Sequence, residues 1–423
     1  MTKFVFAFYA MLFSALLMAE PVKVVTSITP EATVVQPGTK VEFSGKITAG
    51  DNLPGDAKVF YEEYVNGIIK RKGNVVVGEE IALQYQLGDS GWYMVQLKLV
   101  DADNKPVKIN GKNIVGGRGV FVTPEKLPAS APRPADFDEF WDSRRALLNA
   151  VPVKELERRE LGNDKQSATV AYDVKVACLG APVSGYLTIP VNAAPKSLPV
   201  IVSFHGAPGG SARQAFVDGA IRFDVNPHGF ENGHPRAYYK QKFQTTHRAY
   251  QFRNRFDRNK FYLRGMYLRV KRALDYVKTL PEYDGKNLIV VGNSQGGAQA
   301  LIAGGIDPDV KLIYAAVAAF CDHGGALAGR QPGWPKLLNP GAGKIVKGKE
   351  MEVAYFDAAF FARRIKAEIY MTVGLMDVIC SPTSVFCAYN NIPGKKHITI
   401  LPHHGHSRTY SLEFNKRVQE VVK

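Results

Sequence analysis

The segment Asn287-Leu288-Ile289-Val290-Val291-Gly292-Asn293-Ser294-Gln295-Gly296-Gly297 constrains the chain more than any other. A β-branched run of buried-strand character ends in Gly-x-Ser-x-Gly, and helix-compatible residues (Ala298 to Ala303) follow at once. Strand, sharp turn and helix in that order form a nucleophile elbow. Side chains at Gly292 and Gly296 would collide with their neighbours, while the serine between them sits alone at the apex above a helix N-terminus. A structural turn serine is the plainer reading of the motif alone; the strand before it and the helix after it favour Ser294 as a nucleophile.

A serine hydroxyl needs a base, and the base needs an orienting acid. Two later segments repeat the pattern of a strand opening into a polar loop. Glu368–Gly374 opens into Leu375-Met376-Asp377, and His397–Leu401 opens into Pro402-His403-His404-Gly405-His406. In a doubly wound, mostly parallel α/β sheet the residues just past the strand ends share one edge, where ligands bind. Ser294, Asp377 and His406 are therefore expected to converge, with His404 a rival for the histidine. A third run, Pro199–Phe204, leads into His205-Gly206-Ala207-Pro208-Gly209-Gly210. Glycines there let the backbone approach a ligand, so the amides of Ala207 and Gln295 are the expected oxyanion donors.

Together these residues resemble the acetyl xylan esterase and cephalosporin C deacetylase family, carbohydrate esterase family seven. The likeness rests on Gly292–Gly297, Arg264-Gly265-Met266, Asp377–Pro382 and Gly405-His406, with Arg133–Trp141 and Tyr355–Ala359 in support. It runs from about Arg133 to near the C-terminus. The resemblance implies an α/β-hydrolase fold and a Ser-His-Asp esterase that removes acetyl groups from sugar hydroxyls of xylan or xylo-oligosaccharides without a metal or other cofactor. It also implies a homo-oligomer. Ser294, Asp377 and His406 match the family nucleophile, acid and base. Three positions depart from the pattern: Met266 replaces a glutamine, Asn293 a glycine and Ser407 a glutamate. His205, Arg264, Met266 and Trp334 are candidate substrate contacts. Arg264 has a structural alternative, tying helix to loop, and Trp334 either stacks on a sugar or packs in a lid. Another ester, lactone or peptide bond is the alternative substrate, and a non-catalytic glycan-binding protein is the alternative class.

The N-terminus reads as a secretory signal over residues 1–19: Lys3, an apolar stretch from Phe4 to Met18, and a small residue, Ala19, before Glu20-Pro21. The apolar core is short for a membrane span, so the mature enzyme is expected to be exported, periplasmic or extracellular, and free of the membrane; an uncleaved anchor is the alternative. Residues 20–123 have a different texture. Val22–Ser27, Lys40–Ile47, Lys58–Val65, Glu80–Leu87, Trp92–Val100 and Gly119–Val122 are short β-prone runs separated by turn residues. That pattern predicts a small all-β immunoglobulin-like sandwich ahead of the hydrolase. Trp92 or Tyr93 would serve it either as core or as a glycan platform, and the unit itself as a spacer or a wall beside the active site. A Pro-rich linker (124–134) precedes the catalytic domain (135–423), whose first helix opens on a capping box of Asp136 and Glu139.

With 46% hydrophobic and 22% charged residues, the 423-residue chain has ordinary globular material for two domains. The net charge of +15 is scattered, without a coherent stripe or a reader motif, which argues against nucleic-acid binding; attraction to acidic polysaccharide is the alternative use of the charge. Four cysteines (178, 321, 380, 387) lack metal-ligand spacing and leave thiols or disulfides open. His228 and His234 lie in the loop-rich stretch 218–246, expected to rim the active site, and have no third ligand at metal spacing.

Overall fold

The computed structural model describes residues 21–48, 53–164, 168–339, 348–407 and 411–422. The expected signal segment lies outside them. Ten strands come first: β1 (Lys23–Thr29), β2 (Val34–Val35), β3 (Lys40–Thr48), β4 (Lys58–Val65), β5 (Ile68–Val76), β6 (Ile81–Gln86), β7 (Gly91–Val100), β8 (Lys108–Ile109), β9 (Lys112–Asn113) and β10 (Val115–Val122). A three-stranded sheet, β1-β3-β6, faces a five-stranded sheet, β2-β10-β7-β4-β5. Period-two alternation sends Val41, Phe43, Ile47 and Leu83 of the first against Tyr93, Val95, Leu97, Val120 and Val122 of the second. All six expected runs are strands. The additional long strand, β5, was not expected, because Lys70, Arg71 and Lys72 break its apolar pattern and it lies exposed at a sheet edge.

The same alternation turns Trp92, Met94 and Phe121 to the opposite face, where they join the core of the following residues. Trp92 is 1% and Tyr93 0% exposed, so neither is a glycan platform. The stretch 124–134 is not a free spacer either. Asn390 donates to the carbonyls of Pro124 and Leu127, Arg330 to Pro128, and Ser130 binds the Asp322 carboxylate through both amide and hydroxyl.

The remaining elements are α1 (Phe137–Asn149), β11 (Glu155–Asp164), β12 (Thr169–Val176), β13 (Val183–Pro190), β14 (Leu198–Phe204), β15 (Ile221–Asn226), α2 (Arg236–Gln244), α3 (Tyr262–Val277), β16 (Tyr283–Asn293), α4 (Gln295–Ile306), β17 (Val310–Ala316), α5 (Ala358–Ala362), β18 (Glu368–Gly374), α6 (Pro382–Asn391), β19 (Lys396–Leu401) and α7 (Leu412–Val422). They build a nine-stranded sheet in the order β11-β12-β13-β15-β14-β16-β17-β18-β19. The first three strands and β15 pair antiparallel; from β15 to β19 every pairing is parallel.

Both faces of the parallel half are covered, so its strands read as continuous apolar runs. Val200, Val202, Leu288, Val290, Ile313, Ile369 and Met371 point into the large core with α1, α3, α4 and α5. Ile201, Ile289, Leu312, Tyr314 and Tyr370 point the other way, where Phe414 of α7 closes a smaller core. Every residue of α4 is buried, as befits a helix apolar on all sides.

The structure departs from the sequence pattern at two places. The stretch 218–246 is not a loop throughout: it holds β15, inserted between β13 and β14, and then α2. Asp136 does not close a capping box, because its carboxylate is taken by the Tyr355 hydroxyl and by Arg258. Among the described residues no helix is long and apolar enough to cross a membrane, and all four cysteines are free thiols.

At the start of β18 the Glu368 side chain, 12% exposed, is bound by Lys395, Tyr370 and Arg417. Burial alone raises its pKa, but these partners outweigh it and bring the carboxyl from 4.5 to about 2. A depressed carboxyl stabilises the fold above its unfolded pKa and loses that contribution as pH falls toward the folded value. Urea denaturation should therefore find wild type more stable than Glu368→Gln at neutral pH, with the gap narrowing as pH drops from 4.5 toward 2. A gap independent of pH would contradict this account.

Candidate active site

β16 delivers the chain to Ser294 and α4 takes it away in a single step. The close passage explains both flanking glycines: a Cβ on Gly292 would lie 2.0 Å from the Gly296 carbonyl oxygen, and one on Gly296 would lie 2.1 Å from that of Phe204. Ser294 is held at φ 58° and ψ −120°, in the region that side chains disfavour. Its amide is anchored on the Ala316 carbonyl at 2.9 Å, which ties the turn to the end of β17.

Asp377 and His406 arrive from the two strands beyond. β18 and β19 run parallel and in register to Gly374 and Leu401. Their loops stay joined past the sheet edge, since the Met376 amide donates to the His404 carbonyl at 3.0 Å. His404 serves that backbone contact with its ring exposed; His406 is the histidine that reaches the serine. Its Nε2 lies 2.9 Å from Ser294 Oγ and its Nδ1 lies 2.8 Å from Asp377 Oδ2. The acceptor-only carboxylate requires the proton on Nδ1, which leaves Nε2 to accept from the serine. Asp377 is fully buried, and its second oxygen receives the amides of Ile379 and Cys380 at 2.8 and 2.9 Å. Burial, reinforced by the Asp377 carboxylate, pushes the Cys380 thiol well above its ordinary value, so it stays protonated and is no rival nucleophile.

The loop after β14 lies against the elbow, with a Cβ on Gly206 falling 3.7 Å from that of Ser294. Among the described residues the Ala207 and Gln295 amides donate to no acceptor. His205 is tied into the sheet, its Nε2 bound by the buried Asp224 of β15. Burial raises the Asp224 pKa, but His205, Arg222 and the Arg213 amide outweigh it and hold the carboxyl below its usual value. His228 braces the same loop from behind. Its Nε2 donates to the Pro208 carbonyl and its Nδ1 accepts from the Tyr262 hydroxyl, both at 2.7 Å. Burial drives the His228 pKa down to about 3, which keeps the ring neutral and this pattern intact. Tyr250 donates to the Gln295 side chain. Asp224, His228 and Tyr250 were not singled out for these roles from the sequence, because the first two sit in the stretch read as loop and Tyr250 follows it with no motif around it.

The other candidates separate. Met266 is 0% exposed within the core. Arg264 is half-buried and makes no side-chain hydrogen bond or ion pair among the described residues, so it does not tie helix to loop as expected. Trp334 is half-buried with its ring 5.4 Å from that of Phe320, and its carbonyl accepts from the Phe320 amide. His234 binds Glu231 and stacks on Tyr238, away from the partners of His228. Among the described residues no group of three or more His, Cys, Asp or Glu side chains is placed to hold a metal ion.

The model of the acetyl xylan esterase (AXE1) family matches residues 125–421. The chain belongs to the acetyl xylan esterase family. As a member it is a carboxylic ester hydrolase. Acetyl esterase Axe7A of Xylanibacter ruminicola is 30% identical over 310 residues, covering 70% of this chain and 69% of that protein. Among solved structures, an acetyl xylan esterase from Paenibacillus sp. R4 superimposes with a TM-score of 0.57 at 24% identity, over 70% of this chain and 96% of its own. Acetyl xylan esterase 1 from Thermoanaerobacterium sp. JW/SL YS485 gives 0.55 at 22%, over 71% and 96%. These two share the α/β-hydrolase fold of this esterase, and the family match begins only after the last strand of the two N-terminal sheets.

The elbow's sterics give a direct test. Gly296→Ala forces a methyl into the Phe204 carbonyl, and relief requires α4 to lift from β14. The variant is expected to lose soluble folded protein or, where it folds, at least 10²-fold in ester hydrolysis. Near-normal turnover would refute this reading of the turn.

Proposed function

We propose that this esterase is an exported serine carbohydrate esterase that removes O-acetyl groups from xylan or xylo-oligosaccharides. The observation that carries the proposal is the continuous chain from Ser294 Oγ through His406 to buried Asp377, at 2.9 and 2.8 Å. In this mechanism His406 takes the Ser294 proton as the hydroxyl attacks the acetyl carbonyl. The Ala207 and Gln295 amides receive the oxyanion, and His406 then protonates the departing sugar hydroxyl. Water activated by the same imidazole attacks the acetyl-enzyme, releasing acetate and returning the proton to Ser294. Asp377 fixes the tautomer and stabilises the imidazolium that forms in each half-reaction.

The acetyl esterase and acetyl xylan esterase names of the relatives support the substrate class. We also propose the domain plan: a cleaved signal over residues 1–19, an immunoglobulin-like sandwich over 20–123, a connecting segment over 124–134 and the catalytic domain over 135–423. Two sheets packed face to face, antiparallel except for the short parallel β2–β10 pairing, support the second assignment.

The deciding experiment measures acetate released from acetylated xylo-oligosaccharides by the mature protein beside Ser294→Ala. Wild type should release acetate, and the variant should lose turnover by a factor on the order of 10⁴–10⁶ while keeping its thermal midpoint. Hydrolysis of a small activated acetate through Ser294, with none from xylan fragments, would reject the substrate and keep the nucleophile.

A further inference from the structure

The acid loop is held from outside the catalytic sheet. Trp92, 1% exposed on β7, donates its indole N–H to the Leu375 carbonyl at 2.8 Å, two residues before Asp377. The backbone of β10 seats on the same turn: a Cβ on Gly119 would lie 2.8 Å from the Leu375 oxygen, and one on Gly117 would lie 2.4 Å from Met376 Cε. On the other flank, Gln331 donates through Nε2 to the Val378 carbonyl at 2.6 Å, one residue after Asp377. The Gln331 amide is in turn anchored on the Asn66 carbonyl at 2.8 Å, in the turn between β4 and β5. Asn66 and Trp92 are themselves locked together, the Asn66 amide donating to the Trp92 carbonyl at 2.7 Å and the Trp92 amide to Asn66 Oδ1 at 2.8 Å. Two carbonyls that bracket Asp377 therefore answer to one corner of the N-terminal five-stranded sheet.

We propose that this corner, Asn66 with Trp92, is a positioning device for catalysis: through the Leu375 and Val378 carbonyls it holds the Asp377 carboxylate where His406 needs it. The inference rests on the proposed roles of Ser294, His406 and Asp377. The amides that grip Asp377 belong to its own loop, so the carboxylate moves with that loop, and a displacement on the order of 1 Å in a catalytic group costs up to about 10²-fold in rate. Neither Trp92 nor Gln331 touches the reacting atoms; each acts through the acid.

The test is a double-mutant cycle in the full chain, read as kcat and KM on an acetylated xylo-oligosaccharide. Trp92→Phe keeps an aromatic ring in the core and deletes the indole donor. It should lower kcat roughly tenfold with KM unchanged. In an Asp377→Asn background, itself strongly impaired, the same change should have no further effect, because the residue it works through is already disabled. Gln331→Met, which removes the other donor at similar volume, should behave alike and carries the test should Trp92→Phe fail to fold. An equal fold-loss in both backgrounds, or a lowered thermal midpoint with kcat intact, would overturn the proposal and reduce the corner to a packing contact. Unimpaired turnover by Asp377→Asn alone would instead overturn the assignment of the acid, and this inference with it.

Discussion

Where α4 begins, its first turn presses on the end of β14 so closely that the Phe204 carbonyl leaves no room for a methyl on Gly296. From this contact follow the position of Ser294, its left-handed backbone, and the neighbourhood of the Gln295 amide and the loop after β14. Strain at Ser294 persists only because its surroundings over-determine it: α4 is buried along its whole length and the Ser294 amide is pinned to β17. The hydroxyl is thus presented by sheet and helix packing, with little left to the loop itself.

Each other part of the site has its own brace. The loop after β14 is fastened by His205 to Asp224 and by Pro208 to His228. The acid loop leans on Trp92 and Gln331 and folds its own amides onto Asp377. Neighbours that would compete for protons are silenced by burial: His228 stays neutral with a pKa of about 3, and the Cys380 thiol is pushed well above its ordinary value. The ring in reach of Ser294 is His406, whose side chain is 25% exposed. The N-terminal sheets enter this account as part of the core, since β7 of the five-stranded sheet is buried on both faces.

Much of this was legible along the chain. The elbow announces itself because its strand, glycines and helix are contiguous in sequence, and the sterics that demand glycine act over a few residues. Asp377 and His406 could be read from strand-then-loop patterns, since parallel strands put their C-terminal ends on one edge. Six N-terminal strands were visible by alternation. Strand β5 was hidden by its exposed lysines and arginine at a sheet edge, and β15 by the loop-forming residues that follow it. Met266, drawn into the candidate site by motif position, lies in the core because α3 packs that face against the sheet.

What the sequence determined by itself is the local chemistry: a serine on a sharp turn, an acid and a base in a set order, and strands with two-sided or one-sided apolar patterns. Periodicity and steric demand are properties of near neighbours, so they can be read without a fold. Tertiary structure alone decided which faces meet. It chose His406 over His404, gave His205 to Asp224, docked the Pro-rich segment, and brought Trp92 onto a carbonyl 283 positions away. Those pairings depend on how whole layers pack, and a contact between distant residues leaves no periodic trace in either stretch of chain.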